Sequence, residues 1–187
     1  MRIALFYYDG FAEFEIVLAG LLFQKQHEIL AVAMEDREYR SEEQQRYLVD
    51  QTIQDVDVES IDLLVVPGGD PGPLAENEEL QSFIERLLTA GKKVAGICGG
   101  ALLLAGLGVL DGKRCTGMTR GEAPDIPEFR YFENTEFSND HVVVDGNLIT
   151  AQGQAFIEFA MELARQMGLV NSDEEYVEGV NWLKNIR

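Results

Sequence analysis

Residues 93–107 read KVAGICGGALLLAGL. Lys93 to Ile97 is a short apolar run of the kind that forms a strand buried on both faces, and it ends on Cys98. Gly99 and Gly100 follow, and Ala101 to Leu107 reads as a very apolar helix. A strand that turns directly into a helix is the repeating unit of a parallel α/β sheet. The sequence on either side keeps that alternation. Arg2 to Tyr8 is a second buried strand, closed by Asp9-Gly10. Ala12 to Gln26 spaces Phe14, Val17, Leu18, Leu21 and Leu22 as a helix does, and Glu28 to Met34 returns as a strand. Strand, helix and strand within so short a span imply parallel pairing through a crossover helix.

Downstream, Asp62 to Val66 is a strand broken by Pro67-Gly68-Gly69, and Asn77 to Ala90 an amphipathic helix ended by Gly91. Arg114 to Gly117 reads as a strand, and Val142 to Ala151 as a hairpin with Asp145-Gly146 at its turn. Gln154 to Met167 places Phe156, Phe159, Ala160 and Leu163 on one helical face. A last helix starts at Ser172, an N-cap candidate, with Tyr176, Val180 and Leu183 along one stripe. Two stretches are irregular: the charged excursion Glu35 to Asp50, which suits an exposed hairpin, and Glu122 to Asp140, which carries Pro124 and Pro127. The expected architecture is a three-layer α/β sandwich, with helices on both faces of a mostly parallel, flavodoxin-like sheet. With no repeat and no linker, residues 1–187 are expected to form one domain.

Composition narrows the function. Among 187 residues there are 33 Asp and Glu against 15 Lys and Arg, a net charge of −18. A chain so acidic has too little positive charge to displace counterions from a phosphate backbone, so nucleic acid is not an expected partner. No apolar run is long enough to span a bilayer, and no cationic segment opens the chain. A membrane partner and a secreted precursor are therefore not expected, and the location expected is cytoplasmic. Two cysteines and two histidines make neither a disulfide scaffold nor a four-ligand zinc site on their own, so no metal is expected. No cofactor is expected either.

Cys98 is the residue to which chemistry points. Ligands in open α/β sheets gather at the carboxyl ends of strands, where Cys98 stands. The tight turn lifts its side chain above the sheet, as a nucleophile elbow lifts its serine. The helix that follows brings partial positive charge, which favours thiolate over thiol, and N–H groups that face a developing oxyanion. Cys115, in a predicted strand, reads as a core residue. Glu15 opens the first helix beside Phe14, Ile16 and Val17, a setting in which a carboxylate needs a partner or a use. Buried near Cys98, it would tend to be protonated and could donate to the thiolate.

These segments together resemble the ThiJ/PfpI family over essentially the whole chain. The resemblance rests on Gly10-Phe11-Ala12-Glu13-Phe14-Glu15, Leu64-Val65-Val66-Pro67-Gly68-Gly69 and Ala95-Gly96-Ile97-Cys98-Gly99-Gly100, supported by residues 105–113 and 145–153. It implies that Cys98 is the reactive elbow cysteine and Glu15 its hydrogen-bonding glutamate. The Gly69 and Gly99 N–H groups would form the oxyanion pocket, and the chain would be a homodimer. The sequence departs from the family where its hydrolases carry histidine. Gly99 follows the cysteine, and Gly117 stands where others have the histidine of a Thr-His pair. His27 and His141 occupy neither place and read as surface residues. A peptidase or amidase using histidine as base is thus disfavoured.

Three readings remain. The first is a cysteine enzyme acting on small carbonyl compounds, glyoxalase- or deglycase-like, or a related hydrolase of amide-like substrates. The second is a redox or stress-response protein whose Cys98 is oxidised without turnover. The third is a binding module that keeps the fold alone.

Overall fold

The computed structural model describes residues 1–25, 27–118 and 127–186. In chain order the elements are β1 (Arg2–Tyr7), α1 (Phe14–Phe23), β2 (Glu28–Ala33), β3 (Tyr39–Arg40), β4 (Arg46–Tyr47), β5 (Gln51–Thr52), β6 (Leu63–Val66), α2 (Glu78–Thr89), β7 (Lys93–Ile97) and α3 (Gly99–Gly106). There follow β8 (Arg114–Cys115), β9 (Glu136–Phe137), β10 (Val142–Asp145), β11 (Leu148–Ala151), α4 (Phe156–Gln166) and α5 (Asp173–Leu183).

Seven strands form one sheet in the order β10-β11-β7-β6-β1-β2-β5. Every pair in it is parallel except β10 with β11, the hairpin announced by Asp145-Gly146. The register sets Ile3 beside Leu63 and Ile29, and Val65 beside Ala95. All four residues of β6 are buried, as expected of a central strand covered on both faces. From β1 the chain crosses through α1 to β2 on one side, whereas from β6 it crosses through α2 to β7 on the other. Right-handed crossovers in opposite directions place α1 and α2 on opposite faces of the sheet. α4 joins α1 on its face. The α/β fold with a mostly parallel sheet and flanking helices is the one the sequence implies.

Chain reversal between β1 and β6 also opens a crevice at their carboxyl ends, the place where such sheets bind ligands. Glu15 follows β1, Gly69 follows β6, and Cys98 follows β7. One end of the sheet therefore gathers all three.

The charged excursion 35–50 is an antiparallel hairpin of β3 and β4, but it is less exposed than its composition suggests. Tyr39 and Ser41 are buried, and the Glu43 carboxylate accepts the N–H groups of Glu13 and Phe14 at 3.1 and 3.2 Å. The hairpin thus caps a helix that has no cap of its own. At the other end of the chain, Ser172 caps α5 by accepting from Glu175 N–H. The half-buried stripe Tyr176, Val180 and Leu183 is the one its periodicity marks. Pro124 and the rest of residues 122–126 fall outside the described residues, and residues 127–132 form a 3-10 segment beside α3. Among the described residues no helix is long and apolar enough to cross a membrane.

Candidate active site

Cys98 sits between β7 and α3 with φ +53° and ψ −119°, a left-handed conformation that residues with a β carbon rarely adopt. Three neighbours hold it there. Its N–H donates to the Ala151 carbonyl at 2.8 Å, and its own carbonyl accepts from Ala101 and Leu102 in the first turn of α3. Gly99 and Gly100 are required by contact. A β carbon at Gly99 would lie 2.3 Å from the Gly69 carbonyl oxygen, and one at Gly100 would lie 2.2 Å from that of Val66. The helix start therefore packs backbone against backbone on the turn after β6. Left-handed strain of this kind costs about 1–3 kcal/mol. Cys98→Gly should relieve it and raise the unfolding free energy by about 1 kcal/mol once the entropy of glycine is subtracted, measured by urea titration.

Glu15 is 2% exposed and lies within the same few ångströms. Its Oε2 accepts the Gly68 N–H at 2.6 Å, and a side-chain hydrogen bond joins it to Cys98. Burial pushes its carboxyl up to about 7, against the opposing pull of the Gly68 and Cys98 hydrogen bonds, and the Glu42 and Glu43 charges add to the rise. Two glycines leave room for the pair. A β carbon at Gly68 would fall 2.3 Å from Glu15 Oε2 and 2.8 Å from Cys98 Cβ. One at Gly153, after β11, would fall 2.9 Å from Glu15 Oε1 and 3.1 Å from Cys98 Sγ. Gly69, at φ +109°, abuts the Gly10 carbonyl, and no acceptor takes its N–H among the described residues. A buried glutamate paired with a strained cysteine at the carboxyl end of a parallel sheet agrees with the match of residues 1–166 to the DJ-1/PfpI family model.

The chain belongs to the DJ-1/PfpI family. It is 28% identical to a deglycase of Pyrococcus abyssi over 154 residues, covering 81% of this chain and 90% of that one. It is 37% identical to an isonitrile hydratase of Pseudomonas putida over 110 residues, covering 57% of this chain but 46% of the hydratase. Among solved structures, the DJ-1 superfamily protein Atu0886 of Agrobacterium tumefaciens superposes with a TM-score of 0.82 at 27% identity over the full length of both chains.

Within this DJ-1/PfpI chain the position without histidine has a physical reason to be glycine. Gly117 lies beside the site, but a β carbon there would stand 2.9 Å from Ala101 Cβ, 3.3 Å from the Phe132 ring and 3.6 Å from the Cys98 carbonyl oxygen. Ala101 and Phe132 thus crowd even the first carbon of a side chain at this position. His141 is exposed just before β10. His27, expected at the surface, is instead half-buried. Its Nδ1 lies 3.3 Å from the Met1 amine, and its ring lies against Phe23, well outside the cysteine site. Cys115 is fully buried, as expected, and burial pushes its thiol up.

Sequence reasoning missed two groups here. Tyr8, 4% exposed, donates its hydroxyl to the Gly68 carbonyl at 2.6 Å and lies 3.0 Å from that of Pro67. Gly153 lies against both members of the Cys98–Glu15 pair. An apolar run hides the first, and the second is one glycine among many. Beside the Gly69 turn a cleft of about 470 Å³ is bordered by Asp70, Leu102, Met118 and Tyr131. Tyr131 comes from the described part of the irregular segment after residue 122, which therefore borders this cleft.

Proposed function

We propose that this protein is a cysteine-dependent enzyme acting on small carbonyl compounds, in the manner of a glyoxalase or deglycase. The observation that carries the reading is the Cys98–Glu15 pair, with its carboxyl poised near neutrality and no imidazole beside it. The deglycase named among the relatives is in keeping with it.

Cys98, as thiolate, adds to the aldehyde carbon of a 2-oxoaldehyde. A carbon–sulfur bond forms, and the carbonyl electron pair moves to oxygen, where the N–H groups of Gly69 and Gly99 receive it. Protonation gives a hemithioacetal. Glu15, in its carboxylate form, removes the proton from that carbon and returns it to the neighbouring one, which leaves a 2-hydroxy thioester. Water then cleaves the carbon–sulfur bond, releasing a 2-hydroxy acid and restoring the thiol. Every proton can be carried by one carboxyl that titrates near 7.

A redox role is the second reading. A half-exposed cysteine next to a carboxyl that can donate a hydrogen bond suits a stabilised sulfenic or sulfinic acid. A peptidase is disfavoured for want of a histidine base. The partner we propose is a second copy of the chain. α1 is apolar on nearly every side, and Phe14, Val17 and Leu21 are about half exposed on it.

The deciding experiment measures methylglyoxal consumption and lactate formation by the wild type and by Cys98→Ser. Turnover by the wild type and its loss in Cys98→Ser are expected. Turnover that survives in Cys98→Ser would sink the mechanism. A wild type that turns over nothing but accumulates peroxide-oxidised Cys98 by mass spectrometry would favour the redox reading.

A further inference from the structure

We propose that Tyr8 is the positioning residue of this site, its buried hydroxyl holding the Pro67 and Gly68 carbonyls so that the Gly68 and Gly69 N–H groups face Glu15 and the backbone beside Cys98. The peptide plane sets the geometry. In a trans peptide the C=O and the following N–H point in opposite directions, and no cis bond occurs among the described residues. The Pro67 carbonyl shares its plane with the Gly68 N–H, and the Gly68 carbonyl shares its plane with the Gly69 N–H. A donor that fixes both carbonyls on one side thereby aims both N–H groups at the other.

Tyr8 is placed to be that donor. Its oxygen lies 2.6 Å from the Gly68 carbonyl and 3.0 Å from the Pro67 carbonyl, so its one proton is shared between them in a three-centre bond whose shorter arm goes to Gly68. Ala12 N–H makes a second bond to the Gly68 oxygen at 2.8 Å, but no backbone N–H among the described residues reaches the Pro67 oxygen. On the far side of the first plane, the Gly68 N–H meets Glu15 Oε2 at 2.6 Å. On the far side of the second, the Gly69 nitrogen stands 3.2 Å from where a Gly99 β carbon would be, next to the elbow. Gly69 at φ +109° has no side chain to brace the turn, so a bond from outside must hold it.

The phenol also keeps its proton. Burial and the surrounding acids Glu15, Cys98, Asp70 and Glu42 push Tyr8 well above its usual value, so it remains a donor at any pH where the protein works. The hydrogen bonds of the hydroxyl go to the two carbonyls of the turn. Its influence passes through two peptide groups.

The inference deepens the Cys98–Glu15 reading and shares its site, yet its primary test needs no turnover. In Tyr8→Phe, the Gly68 N–H loses its brace and its bond to the Glu15 carboxylate lengthens. That bond holds the Glu15 carboxyl down, so weakening it moves the titration upward. The side-chain carboxyl carbon of Glu15 is followed by NMR against pH, with Glu15→Gln for assignment and Glu42 and Glu43, which face Glu15 from the hairpin, as internal references. An upward movement for Glu15 with both references unmoved is expected. Where methylglyoxal is turned over, kcat should also fall about tenfold with KM within about twofold, because the Gly69 donor acts on the transition state.

A folded Tyr8→Phe whose Glu15 titrates as in the wild type overturns the proposal, even with its melting temperature lowered. If the variant does not fold, 3-fluorotyrosine at position 8 replaces it. That more acidic hydroxyl polarises the same two peptides more strongly, and the Glu15 titration should move downward. No movement overturns the proposal. A wild type without methylglyoxal turnover would count against the carbonyl reading alone, since the Glu15 titration still decides the part played by Tyr8.

Discussion

Glu15→Gln should make the protein about 3 kcal/mol more stable than the wild type at pH 8 and abolish that advantage below about pH 4.5. The reason lies in one proton. Glu15 titrates near 4.5 as a free side chain and near 7 in the fold, because burial disfavours its charge. Between those values the folded protein holds a proton that the unfolded chain gives up. The side chain's contribution is fully present at low pH and is lost as pH rises through 7. Gln has the same shape, accepts the Gly68 N–H through its amide oxygen, and carries no charge at any pH. The other carboxylates titrate alike in both proteins and cancel in the difference. Urea titrations of the two proteins at pH 4.5, 6 and 8 measure it, and equal stability at pH 8 would mean that Glu15 is not held up by burial.

Under the proposed carbonyl chemistry the same substitution should reduce methylglyoxal turnover about a thousandfold, in the range lost when a general acid–base group is removed. Together the two effects say why a buried acid persists at a cost to stability. An acid that fits its fold only when protonated gives up its proton close to neutral pH, where a proton carrier is most effective. Neither effect alone would separate an active-site carboxylate from a merely awkward one. A gain in stability joined to a loss of rate does so.

Much of this arrangement was legible in the chain, and what was not follows a pattern. The elbow could be read because its parts are contiguous: an apolar strand, Cys98 and two glycines that the packing against Gly69 and Val66 requires. Glu15 could be read because a carboxylate among Phe14, Ile16 and Val17 is out of place. The charge of residues 35–50 suits an exposed hairpin, but it does not tell what that hairpin holds. Its Glu43 looks like any solvated acid until the fold lays it against the start of α1. Tyr8 ends a run of aromatics whose burial explains it without any hydroxyl, and its partners lie 59 and 60 residues away. The absence of histidine at Gly117 was visible, but its cause was not. Only the fold brings Ala101 and Phe132 against the point where a side chain at residue 117 would begin. Local backbone chemistry is written locally, whereas contacts between turns on different strands depend on the order of strands in the sheet, which local patterns do not fix.

Gly68→Ala should remove Cys98 alkylation by iodoacetamide at neutral pH and methylglyoxal turnover together, and lower the unfolding free energy by about 2–3 kcal/mol. A single methyl group has this reach because of where it would point. The β carbon would sit 2.3 Å from Glu15 Oε2, 3.0 Å from its carboxyl carbon and 2.8 Å from Cys98 Cβ. None of these is the loose end of an exposed side chain. Glu15 is enclosed, and Cys98 Cβ is fixed by a backbone tied to Ala151 and to α3. Either the carboxyl withdraws from the thiol, breaking the pair, or the turn after β6 lifts and carries the Gly69 N–H with it. Gly153→Ala makes the graded comparison. Its β carbon would meet Glu15 Oε1 at 2.9 Å and Cys98 Cβ and Sγ at 3.1 Å, a milder overlap than the one at Gly68. It should keep most of its stability and lose only part of its rate. If both variants alkylate and turn over as the wild type does, the space between Cys98 and Glu15 does not control the chemistry, and the pair is not the reaction centre.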